Sequence, residues 1–163
     1  MQACRKDTLK EKSAQREAAN HLARKVARRW SNHDLPVKAD TDVTDADLKE
    51  HHLLLIGRPD SNAVVERVKS ALPVTFGSRS FVVRGPSYAH AGSAVIAAGE
   101  NPLNPRYSVV VMAGLGAEST LRLAPALARQ VMPGTEVLLW AHGSPPRALV
   151  APARELVREV AGR

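Results

Sequence analysis

Leu53-Leu54-Leu55-Ile56-Gly57, followed by Arg58-Pro59-Asp60-Ser61-Asn62, is the stretch on which the fold of this chain turns. Four apolar residues in a row, ended by a glycine, have the length of a strand buried on both faces. The Pro, Asp, Ser and Asn that follow are turn formers, and Val64, Val65, Val68 and Leu72 then share one helical face. Strand, turn and helix in that order are half of a layered α/β unit.

Working outward, the pattern repeats. Upstream, Thr44 and Asp47 resemble a capping box that opens a short helix through Glu50. Before it, Pro36 prevents helix continuation across 35–43. Ala14, Ala18, Leu22, Val26 and Trp30 recur every fourth residue, so 13–30 read as an amphipathic helix. Downstream, Gly77 and Gly85-Pro86 punctuate 76–88 into a hairpin, and 93–98 are a strand. A loop rich in Asn and Pro, 100–106, leads to the best central strand, 107–112. A helix at 117–131 with a kink or restart at Pro125, strands at 136–140 and 147–150, and a helix at 153–160 complete the order. The expectation is a three-layer α/β fold with a mainly parallel sheet, flavodoxin-like or Rossmann-like, and a small β-hairpin insertion. A basic arm would cover 1–12 and a single domain 13–163.

Composition excludes more than it names. The chain has 163 residues, 44% of them hydrophobic and 24% charged, enough for one domain with a proper core. Residues 109–117 form the longest apolar stretch, too short and glycine-rich to span a membrane. The opening MQACRKDTLKEKSAQRE is charged throughout and contains no apolar signal region, so the compartment is unknown, cytoplasmic only by default. A single cysteine, Cys4, excludes an intrachain disulfide and a cysteine-cluster zinc site. Residues 1–30 hold nine Lys/Arg against three Asp/Glu, while the remainder is nearly balanced. That helix therefore reads as a solvated basic face, or alternatively as a surface for nucleic acid.

The strongest local motif is Gly114-Leu115-Gly116-Ala117-Glu118-Ser119-Thr120, between the central strand and a helix. Free N–H groups and a positive dipole end suit a phosphate there, so Gly114, Gly116, Ser119 and Thr120 are the candidate ligand-binding residues. Ser119 replaces the last glycine of a dinucleotide fingerprint, and the acidic residue that should end the next strand is missing, so a plain strand-to-helix turn is the better reading. Ser119 and His142 both fall near carboxyl ends of strands, yet no G-x-S-x-G elbow exists, and no catalytic residue is assigned. The run Asp40 to Asp47 resembles a calcium loop, but Asp45 stands where glycine is required and His51 where glutamate is. His51-His52 lacks a metal-binding spacing. No metal and no cofactor is expected.

The segments DTDVTDADLKEHHLLLIGRPDSN and FVVRGPSYAHAGSAVIAAGENPLNPRYSVVVMAGL together carry a resemblance. They are similar to an α/β module at the C-terminus of bacterial extracytoplasmic hydrolases, namely prolyl-oligopeptidase-like or esterase-like serine hydrolases and some zinc aminopeptidases. The markers are the strand and GRPDSN turn at 53–62 and the Asn101-Pro102-Leu103-Asn104-Pro105 loop before Tyr107. In that family the catalytic serine or zinc motif belongs to a preceding domain, and a strand precedes the first helix. Here MQACRKDTLKEK stands in its place. The resemblance thus implies a non-catalytic accessory role beside a peptidase or esterase, with self-association or docking of a hydrolase at an uncovered sheet edge. Two readings compete with it: binding or hydrolysis of a small anionic ligand, phosphate or nucleotide, at Gly114–Thr120, and nucleic-acid binding through the basic helix.

Overall fold

From Gln2 to Arg29 nothing interrupts helical geometry: the stretch has neither proline nor glycine and is dominated by Ala, Arg and Lys. It forms one helix (α1, Gln2–Arg29) of 28 residues, about 42 Å long at 1.5 Å per residue. Residues 2–12, read from sequence as an arm, lie within it. The structure, a computed structural model, describes residues 2–29, 35–127 and 134–150. Trp30, the part past 127 of the helix expected at 117–131, and the helix expected at 153–160 lie outside these.

Next come a short helix α2 (Asp45–Glu50), strand β1 (Leu53–Ile56) and helix α3 (Ala63–Val68). The capping box at α2 is present: Thr44 N–H donates to Asp47 Oδ2 at 2.9 Å, and Asp47 N–H donates to Thr44 Oγ1 at 3.2 Å. Three strands of two residues each, β2 (Thr75–Phe76), β3 (Phe81–Val82) and β4 (Ser87–Tyr88), make a small antiparallel sheet where one hairpin was expected. Strands β5 (Ala94–Glu100) and β6 (Ser108–Gly114), helix α4 (Ala117–Leu127), and strands β7 (Thr135–Trp140) and β8 (Arg147–Val150) follow.

The main sheet has the order β1-β6-β5-β7-β8. It is mixed, which corrects the expectation of a mainly parallel sheet: only β1 and β6 pair in parallel, and the other three pairings are antiparallel. The reason is connection length. The loop at 101–107 is too short for a crossover, so β6 must return alongside β5 in the opposite sense. Strands β1, β6 and β7 point the same way, and β5 is wedged between two of them.

Alternate residues of each strand serve two cores. Leu55, Val95, Ala97, Val109, Val111, Ala113, Val137 and Leu139 join Val64, Val65 and Val68 of α3 and Phe81 of the small sheet on one face. Ile56, Ala94, Ile96 and Met112 meet Ala18 and Leu22 of α1 and Leu123 and Ala124 of α4 on the other. The alanines of α1 and α4 let the helices lie close over the sheet. Burial on both faces explains why these strands read as continuous apolar runs.

Candidate functional site

The carboxyl ends of β1, β6 and β7 and the start of β5 lie at one end of the main sheet, with Ala94 registered against both Gly114 and Trp140. Three loops converge there: 57–62, 115–116 and 141–146, together with 89–93 leading into β5.

All four residues expected to bind a ligand are at this end, and their contacts are internal. A Cβ on Gly114 would lie 2.4 Å from Thr120 N, so glycine is required for the start of α4 to approach β6 this closely. Ser119 Oγ accepts from Gly116 N–H at 3.0 Å and donates to Gly116 O at 2.9 Å, and Thr120 Oγ1 donates to the same carbonyl at 3.0 Å. Both side chains are buried. Leu115 N–H donates to Ser93 O at 3.0 Å. Two N–H groups that a phosphate at this turn would use, those of Leu115 and Gly116, are thus engaged by the chain itself, as in an ordinary strand-to-helix turn.

An open depression of about 130 Å³ lies beside the turn, lined by Ser119, Arg122, Trp140, His142 and Ser144 among others. It brings together Ser119 and His142, which the sequence placed at strand ends separately. The hydroxyl of Ser119 is committed to Gly116, and the His142 ring stacks on His90 with centroids 3.5 Å apart and planes 15° from parallel. His90 Nδ1 accepts from Gly92 N–H at 3.0 Å, and buried Ser93 Oγ accepts from His142 N–H at 3.2 Å. These bonds tie the loop before β5 to the loop after β7. The two histidines are separated by more than fifty residues, and no periodic signal connects them in the sequence.

The aspartates of the 40–47 run disperse over protein partners. Asp40 caps the start of α3 by accepting from Ala63 N–H at 2.8 Å, and Asp45 pairs with Arg67 at 3.4 Å. Asp47 holds the capping box and Lys38 Nζ at 2.7 Å. The hydrogen bond from Lys38, followed by those from Thr44, keeps its carboxyl well below the usual carboxylate range. His52 Nδ1 accepts from Ser108 N–H at 3.0 Å and its ring meets Tyr107 edge-on. Among the described residues no group of three His, Cys, Asp or Glu is arranged around a common metal position.

At the end of β1, the GRPDSN turn is an organised cluster. Asn62 Oδ1 accepts from Val64 and Val65 N–H, capping α3, while its amide donates to Ile56 O at 3.1 Å. Ser61 Oγ accepts from Arg58 N–H at 3.1 Å and from Gln15 Nε2 at 2.8 Å. Arg58, 9% exposed, reaches Glu11 of α1 at 3.1 Å and Asp60 at 3.2 Å. The turn was legible as a cap, but its link to α1 was not, because the partners lie forty-six and forty-seven positions apart. The basic side chains Lys10, Lys12, Arg16, Arg24, Lys25 and Arg28 of α1 are exposed, away from its buried Ala14, Ala18 and Leu22.

No family model matches this chain, and no curated protein and no solved structure is significantly similar to it.

Proposed function

We propose that this chain is a non-catalytic interaction domain, of the kind its sequence resembles beside bacterial peptidases and esterases, and that it docks through the free edge of β1. The observation that carries the reading is the state of that edge. Among the described residues β1 pairs with β6 alone. Gly57 N–H donates to Met112 O at 2.9 Å, so by alternation Leu55 and Leu53 face β6 and the backbone of Leu54 and Ile56 faces outward. The outward carbonyl of Ile56 is taken by Asn62. Leu54 keeps its N–H and C=O at the edge, and its side chain is 40% exposed. A strand edge of leucine and isoleucine, free of Lys and Pro, is a template for another strand.

The occupant is an extended apolar segment of a hydrolase domain, or of a second copy where no hydrolase is present. Amide exchange at Leu54 and Ile56, read with sedimentation at several concentrations and two salt levels, tests this. Both amides should slow when a catalytic domain of that hydrolase class is added, or as the protein self-associates. A monomer at every concentration, with both amides exchanging as before when the catalytic domain is present, would refute it.

A further inference from the structure

We infer that the crevice between the carboxyl ends of β1 and β6 is a binding site for a carboxylate, and that Glu11 of α1 occupies it as a built-in stand-in. The two strands are parallel neighbours, bonded at the crevice floor by Gly57 N–H to Met112 O. Their exits diverge: β1 leads to α3 on the face of Val64, Val65 and Val68, and β6 leads to α4 on the face of Leu123 and Ala124. Such a divergence opens the position where α/β sheets take their ligands. Here it is covered by α1. Gly57 has φ +120°, and a Cβ on it would stand 2.9 Å from Gln15 Nε2, so the helix is seated directly on the turn.

The guanidinium of Arg58 is the recognition element. It is 9% exposed, its Nη2 donates to Glu11 Oε1 and also meets Asp60 Oδ2 at 3.2 Å, and its Nε is buried without a partner among the described residues. Nε and Nη2 form one edge of the guanidinium, the fork that holds a carboxylate through two parallel bonds. Glu11 fills half of that fork. A buried N–H left without an acceptor is costly, and a carboxylate free to align would satisfy both arms. The neighbouring Ser61 hydroxyl is committed within the turn: it accepts from Gln15 Nε2 and Arg58 N–H and donates to Arg58 O at 3.2 Å, so the guanidinium alone supplies the donors.

Displacing Glu11 disturbs little else. Among the described side chains of α1 ahead of Ala14, none is buried: Leu9, Lys10, Lys12 and Ser13 are exposed and Glu11 is half-buried. That end of the helix is tied to the domain through Glu11 and Gln15. The site is independent of the β1 edge, which runs along the other side of the strand.

The test is acetate, added to the whole chain against chloride at matched ionic strength, with the Arg58 Nε–H resonance as readout. In the native sequence this resonance shifts saturably with acetate and not with chloride. In Glu11→Ala the apparent dissociation constant falls on the order of tenfold, because competition by the internal carboxylate is removed. Arg58→Gln lacks the reporting proton, so it is read at the backbone amides of Gly57 and Ser61, whose saturable acetate shifts in the native chain it abolishes; should it fail to fold, the comparison of the native chain with Glu11→Ala decides alone. A response in Glu11→Ala only, or in neither protein, would overturn the proposal and leave Arg58–Glu11 as a structural tie.

Discussion

At one edge of the main sheet β1 presents Leu53, Leu54, Leu55 and Ile56, with a single outward carbonyl covered by the nearby Asn62. At the other, β8 follows Pro145-Pro146, carries Arg147, and has its last described carbonyl, that of Val150, taken by the guanidinium of Arg84. Arg84 comes from the turn of the small sheet and also pairs with Glu136 of β7 at 3.3 Å. Charge and proline are the devices that keep a strand edge from pairing with another chain. β8 carries its charge within the strand and its prolines immediately before it, whereas Leu53–Ile56 holds neither and has Arg58-Pro59 only beyond its end. The difference teaches that an edge is protected residue by residue and often from far away in sequence, which is why the proposed docking is placed at β1.

The sharpest way to break this comparison is to ask whether β1 is merely loose. Leu55 is 8% exposed and packs on α3 and β6. Leu55→Ala should cost about 2–5 kcal/mol, read as a lower denaturant midpoint with an unchanged slope. A loss under about 0.5 kcal/mol, the level of an ordinary surface change, would mean that β1 is an appendage and its open edge incidental.

Asn62→Ala comes next, at about 1–2 kcal/mol for the lost helix cap. It also releases Ile56 O and so enlarges the free edge. Self-association should therefore rise although stability falls, and sedimentation beside a thermal melt separates the two effects.

Arg84→Ala should cost no more than about 1 kcal/mol, since the pair with Glu136 is half-exposed. Its informative consequence is faster amide exchange along β8, bringing that edge closer to the condition of β1.

A smaller, pH-dependent loss is expected at α2, the element immediately before β1. Asp47 is held charged by Lys38 and Thr44, so its folded pKa lies below the unfolded one. Its contribution is complete above the ordinary carboxylate range near pH 4 and drains as pH falls through that range toward the depressed value. In Asp47→Asn this part of the acid limb should vanish from a pH series of melting temperatures.

The smallest change in stability should come from Leu54→Lys, under about 0.5 kcal/mol for an exposed position. It places a charge on the edge and should abolish association. If association persists in this variant, the partner surface lies elsewhere.

The sequence alone determined the elements whose causes are local. The apolar runs at 53–56 and 108–114 have strand length and composition, the second buried on both faces and the first over Leu55 and Ile56, and Thr44, Asp47 and Asn62 act as caps through backbone groups two or three residues away. The glycine turn at 114–120 reads from its residues as a strand-to-helix turn, and Gly114 is fixed there by the approach of Thr120. Tertiary structure decided what depends on separation in space. The direction of β5, wedged between β6 and β7, follows from which strands close against one another after the short loop turns, and periodicity carries no direction. Arg58 meets Glu11, Arg84 covers Val150, and His90 stacks on His142 across forty-seven to sixty-six residues, or fifty-two for the last pair, and a pairwise contact at that distance leaves no pattern in either partner's neighbourhood. The run at 107–112 reads as a central strand and β6 does lie between β1 and β5, but the edge position of the equally apolar 53–56 is not legible, because only the assembled sheet shows which strand pairs on one side alone.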